Sequence, residues 1–128
     1  MIAKIIDRKW VYPSYMSPAI SSENEAINVD GDKLASKIAS KLKCQTLIVL
    51  SNVPGLLRDP SDSTSVIKLI KLKEIDYYIE KFAIGRMKKK LIGAKEAINA
   101  GVKKVILSGA LKEKPILNAI SGEGTVIE

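Results

Sequence analysis

A lysine near the start of a predicted helix is the residue best placed to act on a phosphate group. Lys90 ends the segment 85–90, Gly-Arg-Met-Lys-Lys-Lys, which opens a long helical pattern. Helix N-termini attract anions, and a lysine there would neutralise charge on a transferring phosphoryl group. Gly85 would let a ligand approach the backbone closely. The spacing alone favours a plainer interpretation, in which Lys90 is one of three lysines on a solvated helix face.

Asp32 and Asn28 are polar candidates earlier in the chain. Asp32 opens another predicted helix, where its carboxylate would orient lysines around phosphates or hold a metal-bound nucleotide. A carboxylate at this place is also a common helix N-cap, and the spacing by itself favours the cap. The amide of Asn28 would donate to a substrate carboxylate, or would satisfy its own turn. Both interpretations stay open at both positions.

The loop 51–57, Ser-Asn-Val-Pro-Gly-Leu-Leu, follows a predicted buried strand. Its backbone and side-chain donors would cradle a phosphate or a ribose, although an ordinary well-formed loop explains the same residues. The segment 122–125, Gly-Glu-Gly-Thr, weakly resembles a phosphate loop, and we expect a turn before an edge strand there. Neither a Walker A motif nor a Gly-x-Gly-x-x-Gly fingerprint occurs in the chain.

Alternating helices and strands must position these residues. Apolar residues recur at helical spacing over 33–43, on the face formed by Leu34, Ala35, Ile38, Ala39 and Leu42. Further helices are predicted over 74–82, 87–100 and 115–120. Strands are predicted over 26–29, 46–50, 66–72 (with one wet face), 103–107 and 125–127. Before them, the apolar runs 2–6 and 10–20, the second interrupted by Pro13 and Pro18, predict a strand edge and a connection.

This alternation predicts an α/β fold with a mainly parallel sheet. Ligands of such sheets bind at the carboxyl ends of the strands. Ser51 and Asn52 follow one predicted strand, and Ser108 and Gly109 follow another. Lys90 lies near the start of the helix that leads into the second of these strands. We therefore expect the candidate residues to meet at one edge of the sheet.

The net charge of +7 favours polyanionic partners such as nucleotides, nucleic acids or acidic lipids. Nucleic acid is the weaker alternative, because the arginines that read bases are few (Arg8, Arg58 and Arg86) and aromatic residues make up only 5%. A lysine-rich solvated surface explains the same charge.

The chain has one cysteine, Cys44, and no histidine. Cys–His and Ser–His–Asp catalysis and His-ligated zinc are thereby excluded, and we expect no metal site formed by the protein alone. A single cysteine forms no intrachain disulfide, which suits a reducing cytoplasm. No apolar run reaches membrane-spanning length, and no signal-peptide pattern occurs.

Four segments together resemble the amino acid kinase family: 28–32 (Asn-Val-Asp-Gly-Asp), 50–57, 85–90 and 122–127. Each is weak alone, but their order and spacing are specific, and the resemblance extends from about Trp10 to Glu128. It is strongest to acetylglutamate kinases and to archaeal-type kinases that act on carrier-protein-linked aminoadipate or glutamate. Arg86, in place of a glycine of the acetylglutamate-kinase form Gly-Gly-Met, favours the carrier-dependent branch.

The resemblance implies a three-layer α/β/α sandwich and an enzyme that uses ATP with Mg²⁺. The reaction would phosphorylate the side-chain carboxylate of glutamate or aminoadipate, blocked by an acetyl group or a carrier protein, in arginine or lysine biosynthesis. Lys90 would stabilise the transferring phosphoryl group, Asp32 would organise the active-site lysines, and Asn28 would touch the acceptor. The nucleotide would be bound by Ser51, Asn52, Val53, Gly55, Leu56, Leu57, Phe82, Ile84 and Met87.

Full-length members of that family begin with a Gly-rich loop, its lysine and an acceptor-binding loop, which have no counterpart in residues 1–128. We therefore expect a single nucleotide-binding domain that corresponds to the C-terminal half of such a kinase and is inactive alone. The missing half would be its partner, and an exposed sheet edge would promote self-association. The alternatives are a non-catalytic nucleotide-binding or regulatory module, and a basic nucleic-acid-binding domain.

Overall fold

The computed structural model describes residues 19–128, and the chain divides into two compact units, residues 1–31 and 32–128. The predictions made for 2–6, Pro13 and Pro18 lie outside the described residues. No helix within 19–128 is long and apolar enough to cross a membrane.

The described part of the first unit contains a short antiparallel hairpin. Strand β1 (Ala19–Ile20) pairs with β2 (Ala26–Ile27). The turn between them is held by Ser21, whose Oγ accepts hydrogen bonds from the backbone N–H groups of Glu23 and Glu25, both at 3.2 Å. The strand predicted over 26–29 is therefore present, but it ends at Ile27.

The second unit contains most of the regular structure. Its helices are α1 (Gly31–Lys41, which begins at the boundary between the units), α2 (Ile75–Lys81), α3 (Arg86–Asn99) and α4 (Pro115–Ile120), and a short 3₁₀ helix (Leu72–Glu74) precedes α2. Its strands are β3 (Thr46–Ser51), β4 (Leu69–Ile70), β5 (Lys104–Gly109) and β6 (Thr125–Ile127). All four predicted helices are confirmed with small shifts at their ends.

The four strands form one mixed, mostly parallel sheet with the order β3-β5-β6-β4. Strand β5 runs parallel to β3, and β6 runs parallel to β4 but antiparallel to β5. In the β3–β5 register, Leu50 lies opposite Ser108 and Ser51 lies opposite Gly109. The predicted meeting of these two strand ends is confirmed. The prediction that 125–127 forms an edge strand is wrong, because β6 pairs with a strand on each side.

Helices pack on both faces of the sheet, as a three-layer α/β/α arrangement requires. Val105 and Leu107 of β5 are buried in one apolar cluster with residues of α3, including Leu91. Ile106 points to the opposite face, since side chains alternate along a strand, and it is buried outside that cluster. Helix α4, with its buried Ala119, contacts β5 as well. The aliphatic core thus holds β5 rigidly at the centre of the unit.

Three details of the predicted elements are wrong. Strand β3 is half-buried along its length rather than buried, because it lies at an edge of the described sheet. Leu42, predicted to share the apolar face of α1, is 61% exposed and lies beyond the end of the helix at Lys41. The strand over 66–72 shrinks to Leu69–Ile70, since Val66 pairs separately with Leu57 and Leu72 begins the 3₁₀ helix.

Candidate functional site

The carboxyl end of β3 turns sharply into a loop that its own last residue stabilises. The Oγ of Ser51 donates to the carbonyl oxygen of Val53 at 3.1 Å and accepts from the Val53 N–H at 3.3 Å. The carbonyl oxygen of Ser51 accepts from the N–H of Ala110 at 2.7 Å, which ties this loop to the end of β5. The Asn52 side chain is exposed between these anchored residues. It is therefore well placed to reach a ligand.

The second part of the loop is fixed against β6. The Leu56 N–H donates to Thr125 Oγ1 at 2.8 Å, and the Leu56 side chain is buried in the core at 1% exposure. A Cβ atom on Gly55 would lie only 2.7 Å from the same Thr125 oxygen, so glycine is needed for this close approach. Leu57 continues into an isolated β-bridge with Val66. These contacts hold the loop in place from behind.

Helix α3 begins beside this loop, and it begins with positive charge. Its N-cap is Gly85, with φ +56° and ψ −121°, and its first turn contains no acidic residue. Arg86 and Lys90 are separated by one helical turn, and Lys88 and Lys89 are exposed. Cations at a helix N-terminus repel the positive end of the helix dipole. An anion bound at this place would relieve that repulsion.

Lys90 is held by a carboxylate from another helix. Its Nζ lies 2.7 Å from Oδ2 of Asp32, which is in the first turn of α1. The Lys90 side chain is 15% exposed, and the Asp32 side chain is 34% exposed. An acidic residue is favourable in the first turn of a helix, so Asp32 suits its own helix as well as the lysine. The pair restricts where the ammonium group can point.

These elements surround a cavity of about 580 Å³. Its lining residues are Leu50, Ser51, Asn52, Val53, Ile84, Arg86, Met87 and Lys90. The volume falls within the range of small-molecule sites, roughly 300–1,000 Å³. Arg86 and Lys90 are its charged residues, and no carboxylate is among these lining side chains. A phosphorylated ligand suits such a cavity.

The cavity brings together many of the residues predicted from the sequence. Ser51, Asn52, Val53, Ile84, Met87 and Lys90 line it, and Asp32 reaches it through its ion pair with Lys90. Gly55, Leu56, Leu57 and Phe82 are outside the lining. The Phe82 ring instead packs at 6.2 Å from Tyr77 and 5.8 Å from Tyr78, between ring centroids. Leu56 and Leu57 instead hold the loop in place through their contacts with Thr125 and Val66.

Asn28 belongs to the first unit, directly after β2, and its side chain is exposed. Its predicted contact with an acceptor substrate stays a prediction.

Sequence reasoning missed two residues of the cavity lining, Leu50 and Arg86. Arg86 was noted only as a departure from a family motif. Its spacing of four residues from Lys90 was the available signal, because residues four apart lie on the same side of a helix.

A larger cavity, about 720 Å³, lies between α1 and α3 and shares no lining residue with the first. Its hydroxyl groups are already used: Ser36 Oγ donates to the carbonyl of Asp32 at 2.9 Å, and Ser40 Oγ donates to the carbonyl of Ser36 at 2.7 Å. The rest of the lining consists of lysines of α1 and of Glu96, Ala97, Asn99 and Ala100. The smaller cavity is the better candidate because it lies at the end of a parallel strand and beside a helix N-terminus.

Comparison of the sequence with known families decides the membership. The pattern described as the Amino acid kinase family matches residues 2–108. The chain belongs to the amino acid kinase family. The matched range includes Asp32, Lys90 and every residue that lines the smaller cavity.

Curated members of this family share extensive identity with the chain. The [LysW]-aminoadipate kinase of Deinococcus radiodurans is 49% identical over 115 residues, which cover 90% of this chain and 39% of that protein. The [LysW]-aminoadipate kinase of Thermus thermophilus is 47% identical over 117 residues, 90% of this chain and 43% of that protein. The acetylglutamate kinase of Clostridium kluyveri is 35% identical over 126 residues, 97% of this chain and 44% of that protein. The chain thus spans about two fifths of the length of these relatives.

Solved structures share the fold. The N-acetylglutamate synthase of Neisseria gonorrhoeae complexed with coenzyme A and L-arginine superposes with a TM-score of 0.73 at 21% identity, covering 83% of this chain and 25% of that one. The carbamate kinase of Giardia lamblia bound to AMP-PNP superposes with a TM-score of 0.63 at 26% identity, covering 84% of this chain and 35% of that one.

Proposed function

We propose that the cavity at the end of β3 binds ATP, as the nucleotide-binding part of a kinase that phosphorylates the side-chain carboxylate of N-blocked aminoadipate or glutamate. The observation that carries this proposal is the Asp32–Lys90 pair, which fixes a cation at the edge of a cavity lined by a second cation, Arg86. The greater identity to aminoadipate kinases (49%) than to the Clostridium kluyveri acetylglutamate kinase (35%) favours a carrier-linked acceptor over an acetylated one.

The residues suit transfer to a carboxylate. In this reaction a carboxylate oxygen attacks the γ-phosphorus, the bond from that phosphorus to the β–γ bridging oxygen breaks, and ADP leaves. A carboxylate is already ionised near neutral pH, so the step needs no general base. The chain has no histidine, the most common general base. Positioning and neutralisation of negative charge are then the main tasks of the protein.

Lys90 would neutralise the charge that moves with the phosphoryl group. Its 2.7 Å contact with Asp32 holds the ammonium group in place before a ligand arrives. A cation that is already oriented loses less side-chain entropy on binding than a freely rotating lysine does. Asp32 is therefore proposed as a positioning residue, and Lys90 as the catalytic one.

The remaining lining suits the other parts of a nucleotide. Ile84, which is 73% exposed, and Met87 offer apolar surface beside the start of α3, where a planar base would be shielded from water. The Asn52 amide offers hydrogen bonds to the ribose or the phosphates. Mg²⁺ would enter bound to the phosphates, as it usually does at kinase sites.

The location of the site can be tested by nuclear magnetic resonance. Titrating the ¹⁵N-labelled chain with Mg-AMP-PNP should shift the backbone signals of 50–53 and 84–90. Signals of α1 residues that line the larger cavity, such as Lys37 and Lys41, should stay in place. Shifts confined to residues of the larger cavity, or no shifts at all, would contradict the proposal.

A further inference from the structure

Arg86 differs from Lys90 in a way that the proposed site does not yet explain. Both line the cavity, but in the described part of the chain only Lys90 has an ion-pair partner. Within residues 19–128 the guanidinium group of Arg86 makes no ion pair and no hydrogen bond. Among the described residues, the cavity therefore has one cation with a carboxylate partner, Lys90, and one without, Arg86.

The two cations are arranged to act on one extended anion. Arg86 and Lys90 are four residues apart on α3, which places them on the same side of the helix with Cβ atoms roughly 5–6 Å apart. Lys88 and Lys89, which lie between them in sequence, do not line the cavity. Only part of the positive charge at the start of α3 is therefore directed into the site.

The side-chain types also differ in what they recognise. A lysine is a point charge, whereas the planar fork of an arginine donates two parallel hydrogen bonds to a phosphate. A Cβ atom on Gly85, the residue before Arg86, would have no atom within 4 Å apart from its chain neighbours, so the backbone at the start of α3 is open to a ligand.

We propose that Arg86 binds a phosphate group adjacent to the one that Lys90 contacts, and thereby makes the cavity selective for nucleoside di- and triphosphates over monophosphates. This inference rests on the proposed function, because it assigns a role within the same nucleotide site. It makes Arg86 a specificity-determining residue for the length of the phosphate chain.

The test compares the dissociation constants of Mg-AMP-PNP, Mg-ADP and AMP for four proteins: wild type, Arg86→Gln, Arg86→Lys and Lys89→Gln. Lys89→Gln is the matched control, since it removes the same charge from the same helix at an exposed position outside the cavity lining. Thermal melting checks that all four proteins fold alike.

Arg86→Gln should raise the dissociation constants of Mg-AMP-PNP and Mg-ADP by roughly ten- to a hundredfold, as the loss of a charge-assisted hydrogen bond does. The constant for AMP should change little. Arg86→Lys should recover part of the loss, because it restores the charge but not the fork. Lys89→Gln should leave all three constants nearly unchanged.

Four results would overturn the inference. Equal weakening of all three ligands by Arg86→Gln would show that Arg86 does not read the phosphate chain. Equal effects of Arg86→Gln and Lys89→Gln would show a general charge effect. Failure of the wild type to bind any of the three would remove the proposed function itself, whereas unaltered binding by Arg86→Gln would remove only this inference.

Discussion

The ammonium group of Lys90 lies 2.7 Å from the carboxylate of Asp32, a residue 58 positions earlier in the chain. This pair joins the first turn of α1 to the start of α3. It differs from the surface ion pairs of the same unit because Lys90 is only 15% exposed. The contact makes one lysine of a lysine-rich helix start a fixed part of the cavity.

The Lys90–Asp32 pair should contribute more to stability than an exposed pair of similar length. Its coupling energy in a double-mutant cycle (Lys90→Met, Asp32→Asn and both) should be about 1 kcal/mol in urea denaturation, since partial exposure limits the gain. The control is the pair Lys71–Glu128, with a 2.6 Å contact but side chains 48% and 42% exposed. Its coupling should be close to zero, and a coupling as large as that of Lys90–Asp32 would contradict this account.

Thr125→Val should loosen the loop that follows β3. The substitution keeps the shape of the side chain but removes the acceptor of the buried Leu56 N–H. A buried donor left without a partner costs about 1–3 kcal/mol. Hydrogen exchange should show faster exchange of the Leu56 amide in Thr125→Val than in Thr125→Ser, which keeps the hydroxyl. Equal protection of Leu56 in the two variants would show that this bond does not anchor the loop.

Gly124→Ala should destabilise the fold far more than Gly85→Ala. Both glycines have positive φ, +104° and +56°. A Cβ at Gly124 would lie 2.3 Å from the carbonyl oxygen of Leu107 in β5, whereas no atom lies within 4 Å of one at Gly85. Backbone strain alone costs about 1–3 kcal/mol, and the clash with a central strand adds to it. Urea denaturation measures the difference, and similar losses for both variants would contradict the predicted clash.

Acid should weaken the loop between Leu57 and Val66. The pKa of Asp62 is below its ordinary value of 3.8, first because the Thr64 side chain donates a hydrogen bond to the carboxylate and then because the Thr64 N–H does. A carboxylate with a depressed folded pKa stabilises the protein above the unfolded pKa, and this contribution disappears as the pH falls through the folded value.

Asp62→Ala should therefore lower the melting temperature at pH 7. The difference from wild type should shrink as the pH falls from about 4 through the depressed folded pKa of Asp62, because the wild-type carboxylate becomes protonated over this range. Thermal melting from pH 7 to pH 2 measures both curves. A difference that is constant across this range would show that the ionised form of Asp62 is not what stabilises the turn.

Several parts of the fold could be predicted because local sequence and tertiary structure agree. The apolar spacing of α3 places Leu91 and Ala94 in the core, and Pro115 begins α4, where a missing N–H costs nothing. The rule about the carboxyl ends of parallel strands predicted that Ser51 and Asn52 lie near Lys90, and these three residues do line one cavity.

The failures have tertiary causes. The apolar residues of 66–72 resemble one strand, but they pair with two different partners, and Leu69 is exposed while Ile70 is buried. Which strand would be at an edge depends on pairing between distant segments, which no local pattern encodes. The assignment of Leu56 to nucleotide binding came from a family resemblance and stays a prediction, and its side chain packs in the core.

The most direct test of the central claim is isothermal titration of the chain with Mg-AMP-PNP at about 0.15 M salt, where long-range charge effects are screened. We predict saturable one-to-one binding that Lys90→Met weakens about tenfold or more, as expected for the loss of a charge-assisted contact. Lys103→Met, at an exposed position outside both cavities, should change it little. No saturable binding, or equal weakening by the two variants, would contradict a nucleotide site organised around Lys90.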